Sequence, residues 1–193
     1  QAYENIPLSI GEGQTISQPY IVALMTSTLE LQETDRVLEL GTGSGYQAAI
    51  LARLVPKGRV VTVERMPSLA STARDLLQAL GYTKVDVKAA SCRLGCPEEG
   101  PFDAIIVTAS VPRLPDELMA QMTPHSRMVI PIGSFHVQEL VKVLKTGPTT
   151  HAANVYPDDS GALVSVIGDG ALVEIVADPA RESFTIGRRL VLN

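Results

Sequence analysis

Short apolar segments alternate with helical stripes along most of this chain. In the stripes, apolar residues recur every three or four positions, which predicts amphipathic helices. These helices are predicted at 20–31, 46–54, 67–80 and 115–121. The apolar segments between them predict strands at 36–40, 60–64, 85–88, 104–108, 128–132 and 139–145. Such alternation predicts an α/β protein with a parallel sheet, and the pattern of the last segment is typical of an outer strand.

The two ends of the chain lack this alternation. Residues 1–19 are predicted to be irregular, because glycines and a proline interrupt them. Residues 146–161 have the composition of a loop or linker, and three more strands are predicted at 163–167, 171–176 and 183–191. The pattern leaves open whether these strands complete the edge of the main sheet or form a small appendage. We therefore expect a main domain at 1–147 and a β-rich C-terminal extension at 148–193. Three acid–base side chains of the linker are expected to be solvated: His151, Asp158 and Asp159.

The first buried strand leads into a glycine-rich turn and then a helix, in the sequence LELGTGSGY at 38–46. Glycine lets backbone N–H groups and a helix N-terminus approach a ligand closely. The spacing G-x-G-x-G differs from the G-x-G-x-x-G of dinucleotide sites. Glu64 ends the next strand, where a carboxylate can accept hydrogen bonds from both ribose hydroxyls. Together these features favour a nucleoside cofactor, with S-adenosylmethionine as the first candidate, over a plain glycine-rich connection.

Composition narrows the classes of function. The chain has 193 residues and a net charge of −5 without a basic cluster, which argues against a nucleic-acid surface. It contains no apolar run of membrane-spanning length and no visible signal peptide, so a cytoplasmic protein is expected. Cys92 and Cys96 have no histidine nearby, so we expect reduced thiols and no metal site.

Several segments resemble protein-L-isoaspartate O-methyltransferases. They are AY at 2–3, IGEGQTISQP at 10–19, LGTGSGYQAA at 40–49, PFDAIIVTA at 101–109, and VIPIG at 129–133 followed by QEL at 138–140. The resemblance runs in order from about residue 2 to residue 145, and GQTISQP at 13–19 is its most specific part. It implies a doubly wound, mostly parallel, seven-stranded methyltransferase sheet of Rossmann-like type. S-adenosylmethionine would lie over the carboxyl ends of the strands.

The same resemblance implies roles for individual residues. Ser17 stands at the active-site serine position of the family, although its spacing alone is more simply explained as a helix cap and that of Thr15 as a turn residue. The implied cofactor-binding residues are Glu39, Gly41, Thr42, Gly43, Ser44, Gly45, Glu64, Arg65, Ser91 and Cys92. The implied substrate-binding residues are Thr15, Ile16, Gln18, Pro19, Thr108, Ala109, Ser110, Val111 and Pro112. The glycines would approach the methionine part of the cofactor, Glu64 the ribose, and Ser91 with Cys92 the adenine.

Two positions depart from the family pattern. The family usually has Gly-Asp-Gly after its third strand, with the acid beside the adenine, whereas this chain has Ala90-Ser91-Cys92. A serine can still form hydrogen bonds but carries no charge. The family's Gly-Gly before its fifth strand is His125-Ser126 here, so the turn lacks residues that tolerate unusual backbone angles. The departures indicate either ordinary drift or a specialised relative with an altered site.

The implied reaction moves a methyl group from S-adenosylmethionine to the α-carboxylate of an L-isoaspartyl residue in a damaged protein or peptide. S-adenosylhomocysteine is the second product, and the ester closes to a succinimide whose hydrolysis returns some normal aspartate. A carboxylate is already ionised at neutral pH, since its reference pKa is about 4. No general base is required, and no histidine lies in the matched motifs.

Two other functions remain open at this point. One is a related carboxyl methyltransferase that modifies aspartate in a dedicated biosynthetic peptide, which the β-rich tail would recognise. The other is a non-catalytic module that binds the cofactor and a partner. For the repair enzyme we expect a monomer whose partners are isoaspartyl proteins or peptides, with no role for nucleic acid or a membrane.

Overall fold

The computed structural model describes residues 4–133, 138–147, 149–155 and 163–168. Helices and strands alternate through most of this length, as the hydrophobic pattern predicts. The helices are α1 (Pro19–Thr28), α2 (Tyr46–Leu54), α3 (Pro67–Ala79) and α4 (Asp116–Met119), with a 3₁₀ turn at Pro97–Glu99. The strands are β1 (Leu8–Gly11), β2 (Gln14–Ile16), β3 (Arg36–Leu40), β4 (Arg59–Glu64), β5 (Val85–Ala89), β6 (Phe102–Val107), β7 (Met122–Gly133), β8 (Gln138–Thr146), β9 (Thr149–Val155) and β10 (Leu163–Gly168).

The main sheet has eight strands in the order β10-β9-β8-β7-β6-β3-β4-β5. The pairs β3–β4, β4–β5, β3–β6 and β6–β7 are parallel, whereas β7–β8, β8–β9 and β9–β10 are antiparallel. The chain winds outward from β3 to β5 and then returns to β6 on the other side of β3. In open α/β sheets, ligands bind beyond the carboxyl ends of the strands at such a reversal. The predicted methyltransferase sheet is confirmed, and β10 extends it to an eighth strand.

Apolar side chains cover both faces of the central strands, as expected for a parallel sheet between helices. Leu38 of β3 and Ile105 of β6 pack in the core on one face. Val37 and Ile106, their neighbours along the same strands, pack on the other face with residues of α1 and α2. Because successive strand residues point to opposite faces, each central strand contributes to two cores. These strands therefore hold the loops at their carboxyl ends on a rigid base.

The prediction of an irregular N-terminal segment is wrong. Strands β1 and β2 form an antiparallel hairpin in which Leu8 pairs with Ile16. Gly11 and Gly13 flank its turn with positive φ angles of 90° and 66°. The glycines that suggest a break in structure instead make the turn between two paired strands. The hairpin lies next to the carboxyl ends of the central strands, where Ile10 contacts the position of Gly43.

Two predictions about the far edge of the sheet are also wrong. Strand β8 is not an outer strand, because β9 pairs along its free side. Segment 146–161 is not only a loop, since it contains Thr149–Val155. His151 lies in that strand in register with Leu144 and is partly buried, so it is not a solvated linker residue. Its local composition suggested a linker, but the exposed backbone edge of β8 provides a partner for a strand.

The predicted strand at 163–167 is confirmed as β10, which joins the main sheet through β9. The strands predicted at 171–176 and 183–191, and Asp158 and Asp159, lie outside the described residues. The division of the chain at residue 147 stays a prediction. Within the described ranges, no helix combines the length and apolar character that crossing a bilayer requires.

Candidate active site

A turn of three glycines connects β3 to α2 at the carboxyl edge of the sheet. Gly41, Gly43 and Gly45 have φ angles of 98°, 53° and 83°, a backbone region that residues with a side chain rarely adopt. The Gly41 N–H donates to Val63 O at 2.8 Å, and the Gly45 N–H donates to Thr42 O at 2.8 Å. Gly45 then caps the N-terminus of α2. The predicted sequence of strand, glycine turn and helix is confirmed.

Close contacts explain why Gly41 and Gly43 cannot be replaced by residues with a side chain without displacing their neighbours. A Cβ atom at Gly41 would lie 2.3 Å from Thr108 Oγ1, and one at Gly43 would lie 3.0 Å from Ile10 Cδ1. The Thr108 hydroxyl is shared between Leu40 O and Gly41 O, each at 2.8 Å. Thr108, predicted to bind substrate, therefore also supports the glycine turn from the end of β6.

Glu64 connects the glycine turn to the end of β4. Its carboxylate is buried, with Oε2 accepting from the Gly43 N–H at 2.8 Å and Oε1 accepting from the Met66 N–H at 2.9 Å. Each carboxylate oxygen can accept more than one hydrogen bond. Glu64 therefore keeps the capacity to accept ribose hydroxyls while it fixes the loops on both sides of the cleft.

Glu39 differs sharply from Glu64, although both are acids on neighbouring strands. It is fully buried within β3, and neither carboxylate oxygen has a hydrogen-bond partner. Burial raises the pKa of Glu39 to about 8, and the negative charge of Glu64 adds to the rise. The structure thus places this predicted cofactor residue inside the protein, close behind the glycine turn, as a carboxyl that holds its proton at neutral pH.

A cleft of about 1490 Å³, which includes open solvent, lies over the ends of β3, β4, β5 and β6. We call it the main cleft. Many of the predicted site residues share its wall: Thr15, Gly41, Gly43, Glu64, Arg65, Ser91, Cys92, Thr108, Ala109, Ser110 and Val111. The residues implied for cofactor and substrate thus meet in one place, although they come from distant parts of the sequence.

A smaller cavity of about 440 Å³, which also includes open solvent, adjoins the main cleft and shares Ile10, Thr15, Gly41, Gly43 and Thr108 with it. Ile16, Ser17, Thr42 and Ser44 complete its set of predicted residues. Ser17 therefore lines a cavity whose other wall is the glycine turn. The capping interpretation of Ser17 is wrong, since α1 is capped by Gln18, and Thr15 belongs to β2 and not to a turn.

Some predicted residues lie away from both cavities. Gly45 faces Leu77, because a Cβ there would lie 3.1 Å from the Leu77 side chain. Gln18 caps α1, and Pro19 begins that helix beside a separate groove. Pro112 is exposed at the rim beyond Val111. These four residues therefore line neither cavity.

Other residues line the cavities without having been predicted. Those of the main cleft are Ile10, Gln14, Val63, Met66, Leu69, Arg93, Leu94 and Gly95. Those of the small cavity are Ile10, Val22, Met25, Tyr46 and Gln47. Arg93, Leu94 and Gly95 lie in the loop that follows β5. The expectation that ligands bind beyond the carboxyl ends of parallel strands would have included them if it had covered the whole loop. Ile10 and Gln14 required knowledge of the hairpin, which the local sequence did not suggest.

The loop after β5 contains Ser91, at the position where the resemblance implies an acid in the family. Ser91 is exposed, and its Oγ accepts from the Arg93 N–H at 3.2 Å and faces Arg93 O at 3.4 Å. The serine hydroxyl is therefore engaged within its own turn.

Cys92 beside Ser91 is an exposed free thiol, and Cys96 is a buried one whose pKa is raised to about 11, mainly by burial. Among the described residues, no group of three or more acidic, histidine or cysteine side chains is placed to hold a metal ion.

Comparison with known proteins gives the family. The family model for protein-L-isoaspartate(D-aspartate) O-methyltransferase (PCMT) matches residues 1–158. The chain belongs to this family. It is therefore an S-adenosylmethionine-dependent methyltransferase of the protein-L-isoaspartate O-methyltransferase class. The match extends beyond residue 145, where the motif resemblance ended, and includes β9.

Individual relatives agree with the family match. The chain is 55% identical over 150 residues to a protein-L-isoaspartate O-methyltransferase of Trichlorobacter lovleyi, covering 78% of this chain and 68% of that protein. A solved protein-L-isoaspartate O-methyltransferase superimposes with a TM-score of 0.73 at 31% identity, covering 88% of this chain and 54% of that one. The chain thus spans about two thirds of the curated relative and about half of the solved protein.

A more distant structure shares the fold. It is a Plasmodium falciparum structure described as a beta-aspartate methyltransferase (PCMT), in complex with S-adenosyl-L-homocysteine. It matches with a TM-score of 0.69 at 24% identity, covering 81% of this chain and 78% of that one. This likeness concerns the arrangement of helices and strands alone.

Proposed function

We propose that this chain methylates the α-carboxylate of L-isoaspartyl residues in damaged proteins or peptides and so takes part in their repair. One observation carries the proposal. Ser17 and its neighbours Thr15 and Ile16 line a cavity whose opposite wall is the glycine turn, Gly41 to Ser44. The segment that makes the family resemblance most specific therefore lies against the element expected to hold the methyl donor.

The residues of the main cleft fit the cofactor that the family uses. S-adenosylmethionine, when bound, supplies an electrophilic methyl group on a sulfonium. Glycine at positions 41, 43 and 45 gives the turn positive φ angles and leaves its backbone N–H groups without side chains of their own in the way of a ligand. Glu64 has acceptor capacity for the ribose hydroxyls, and the 90–95 loop forms the wall expected to meet the adenine.

Positioning and exclusion of water are the main catalytic contributions that this chain makes. The attacking carboxylate is ionised at neutral pH, so no side chain has to remove a proton. The Ser17 hydroxyl can donate a hydrogen bond that orients the carboxylate, and the backbone of β2 beside it restricts the approach. Apolar side chains of α1, Val22 and Met25, line the same cavity and limit the water inside it.

We extend the proposal to the surroundings of the protein. The partners are isoaspartyl-containing proteins or peptides. The proposal includes a monomer as the working form of the chain. Two free thiols and a net charge of −5 are consistent with a reducing cytoplasm and with an absence of nucleic-acid binding.

A matched pair of peptides tests the substrate assignment. Labelled methyl transfer from S-adenosylmethionine is measured to an isoaspartyl peptide and to the same sequence with normal aspartate. We expect label on the isoaspartyl peptide alone. Label on the aspartyl peptide would favour a dedicated peptide substrate, and label on neither, with S-adenosylhomocysteine still bound, would favour a non-catalytic module.

The variant Ser17→Ala tests the positioning role. We expect turnover of the isoaspartyl peptide to fall by about 10-fold or more, as for other single hydrogen-bond donors at reacting groups, with little change in cofactor affinity. Ser9→Ala in β1 is the matched control, because Ser9 is an exposed serine of the same hairpin region. Unchanged turnover in Ser17→Ala would remove this residue from the mechanism.

A further inference from the structure

The loop that follows β5 is exposed over most of its length, yet it forms one wall of the main cleft. Ser91, Cys92, Arg93 and Leu94 are all exposed, and all line the cleft. The loop has no helix or strand between Ala89 and the 3₁₀ turn at Pro97. Hydrogen bonds between Ser91 and Arg93 stabilise its first part, and a side chain from outside the loop supports the part around Gly95.

Gln121 provides that support from the other side of the loop. It is buried, with 5% of its surface exposed, and it follows α4 at the start of β7. Its Nε2 donates to Leu94 O at 2.8 Å and to Glu117 O at 2.8 Å. Its Oε1 accepts from the Cys96 N–H at 2.8 Å. One carboxamide thus connects both sides of Gly95 to the end of α4.

The backbone at Gly95 is adapted to this contact. Gly95 has a φ angle of 81°, and a Cβ atom there would lie 2.5 Å from Gln121 Oε1. The backbone of Gln121 is itself fixed, since its carbonyl accepts from the Phe102 N–H at 2.8 Å. The loop and its support therefore meet in a close-packed, fully hydrogen-bonded contact.

We propose that Gln121 is a positioning residue that holds the 90–96 loop in the shape that closes the main cleft around the cofactor. The inference rests on the proposed function only for the identity of that ligand. The 90–96 loop contains no carboxylate, and the hydroxyl of Ser91 is engaged with Arg93. Recognition then depends on backbone groups of the loop being held in place before the cofactor binds, which lowers the entropic cost of binding.

The variant Gln121→Met tests this role, because methionine has similar length but no amide to hydrogen-bond Leu94 O, Glu117 O or the Cys96 N–H. We expect the Kd for S-adenosylhomocysteine, measured by calorimetry without peptide, to rise about 10-fold. At saturating S-adenosylmethionine, kcat and the KM for the isoaspartyl peptide should stay within about twofold. Gln78→Met, the same change at an exposed position of α3, should leave all three values unchanged.

Hydrogen exchange separates positioning from a general loss of structure. In the unliganded Gln121→Met protein, amides of 90–96 should exchange faster, whereas those of the glycine turn and α2 should be unchanged. Gly95→Ala perturbs the same contact from the loop side, so it should also weaken S-adenosylhomocysteine binding. The double variant should lose less affinity than the sum of the two single losses.

Three results would overturn the proposal. They are an unchanged Kd in Gln121→Met, an equal loss of affinity in Gln78→Met, and faster exchange throughout the protein with a matching loss of kcat. Because the affinity measurement uses no peptide, it is independent of the substrate. A failure of the isoaspartyl assignment would appear only in the peptide assay.

Discussion

At the scale of single residues, the burial of Glu39 predicts that the free energy of unfolding depends on pH. The carboxyl has a pKa of about 8 in the folded protein because of its burial, whereas its ordinary value is 4.5. At pH values between 4.5 and about 8, the Glu39 carboxyl is ionised in the unfolded chain but keeps its proton in the folded protein. The folded state therefore binds more protons than the unfolded state, and the free energy of unfolding falls as the pH rises.

The variant Glu39→Gln removes this titration while keeping a neutral side chain of the same shape. The free energy of unfolding of the wild type, relative to the variant, should fall by roughly 1.4 kcal/mol for each pH unit inside the window. Urea unfolding of both proteins without cofactor at pH 5, 6 and 7 measures the slope. Glu33→Gln makes the same change at an exposed position, so a similar relative slope in that variant would contradict the assignment to Glu39.

At the scale of structural elements, the turn at the start of β7 shows how a departure from the family pattern is accommodated. His125 adopts a φ angle of 69°, which is unfavourable for any residue with a Cβ atom. The register between β6 and β7 shifts at the same place, between Phe102 and Ala104. His125 therefore holds a backbone conformation that glycine would adopt at lower cost, and the strain lies at this residue.

The variant His125→Gly should relieve this strain. We expect the protein to gain about 1 kcal/mol of stability, or a rise of about 2–4 °C in Tm, measured by thermal unfolding. Ser126→Gly is the matched control, because Ser126 is buried and its Oγ donates to Thr123 O at 2.6 Å. That variant should lose about 1 kcal/mol, and a gain in both variants would mean that the turn as a whole prefers glycine.

The hairpin of β1 and β2 is an element that joins the two cavities. Ile10 lines both of them, Gln14 lines the main cleft, and Ser17 follows directly after β2. The hairpin turn also reaches α3, since Ser68 Oγ donates to Glu12 Oε1 at 2.8 Å. The same short element therefore forms part of the wall of both cavities.

At the scale of the whole molecule, β9 belongs to the main core. Val155 at its end is 6% exposed and packs in the cluster that contains Ile21, Met25 and Leu140. Strand β9 also pairs with β8 from Val141 to Thr146. The sheet beyond β8 therefore contributes to the stability of the domain that carries the site, although it lies at the opposite side of the sheet from β5.

The variant Val155→Ala should lower the free energy of unfolding by about 2 kcal/mol through the cavity that it leaves. Urea unfolding measures the loss, and the Kd for S-adenosylhomocysteine should not change, because Val155 lines neither cavity. Leu144→Ala, at a more exposed position of β8, should cost less than about 0.5 kcal/mol. Equal losses in the two variants would show that Val155 is not part of the core.

The sequence by itself determined the features that depend on short stretches of chain. The glycine turn with its flanking strand and helix and the parallel orientation of β3 to β7 follow from local periodicity and from the backbone angles that glycine allows. The family resemblance rests on motifs of consecutive residues, such as 13–19 and 40–49. Glu64 and Gly43 could be assigned to one site because the carboxyl ends of neighbouring parallel strands must meet.

Only the tertiary structure decided the features that depend on partners distant in sequence. The hairpin of β1 and β2 and the pairing of β9 with β8 each required a backbone partner that local composition does not reveal. The raised pKa of Glu39 arises from its complete removal from water, and the support of the 90–96 loop by Gln121 joins residues 25 or more positions apart. Desolvation and long-range hydrogen bonding are properties of the packed chain, so the periodicity of the sequence could not predict them.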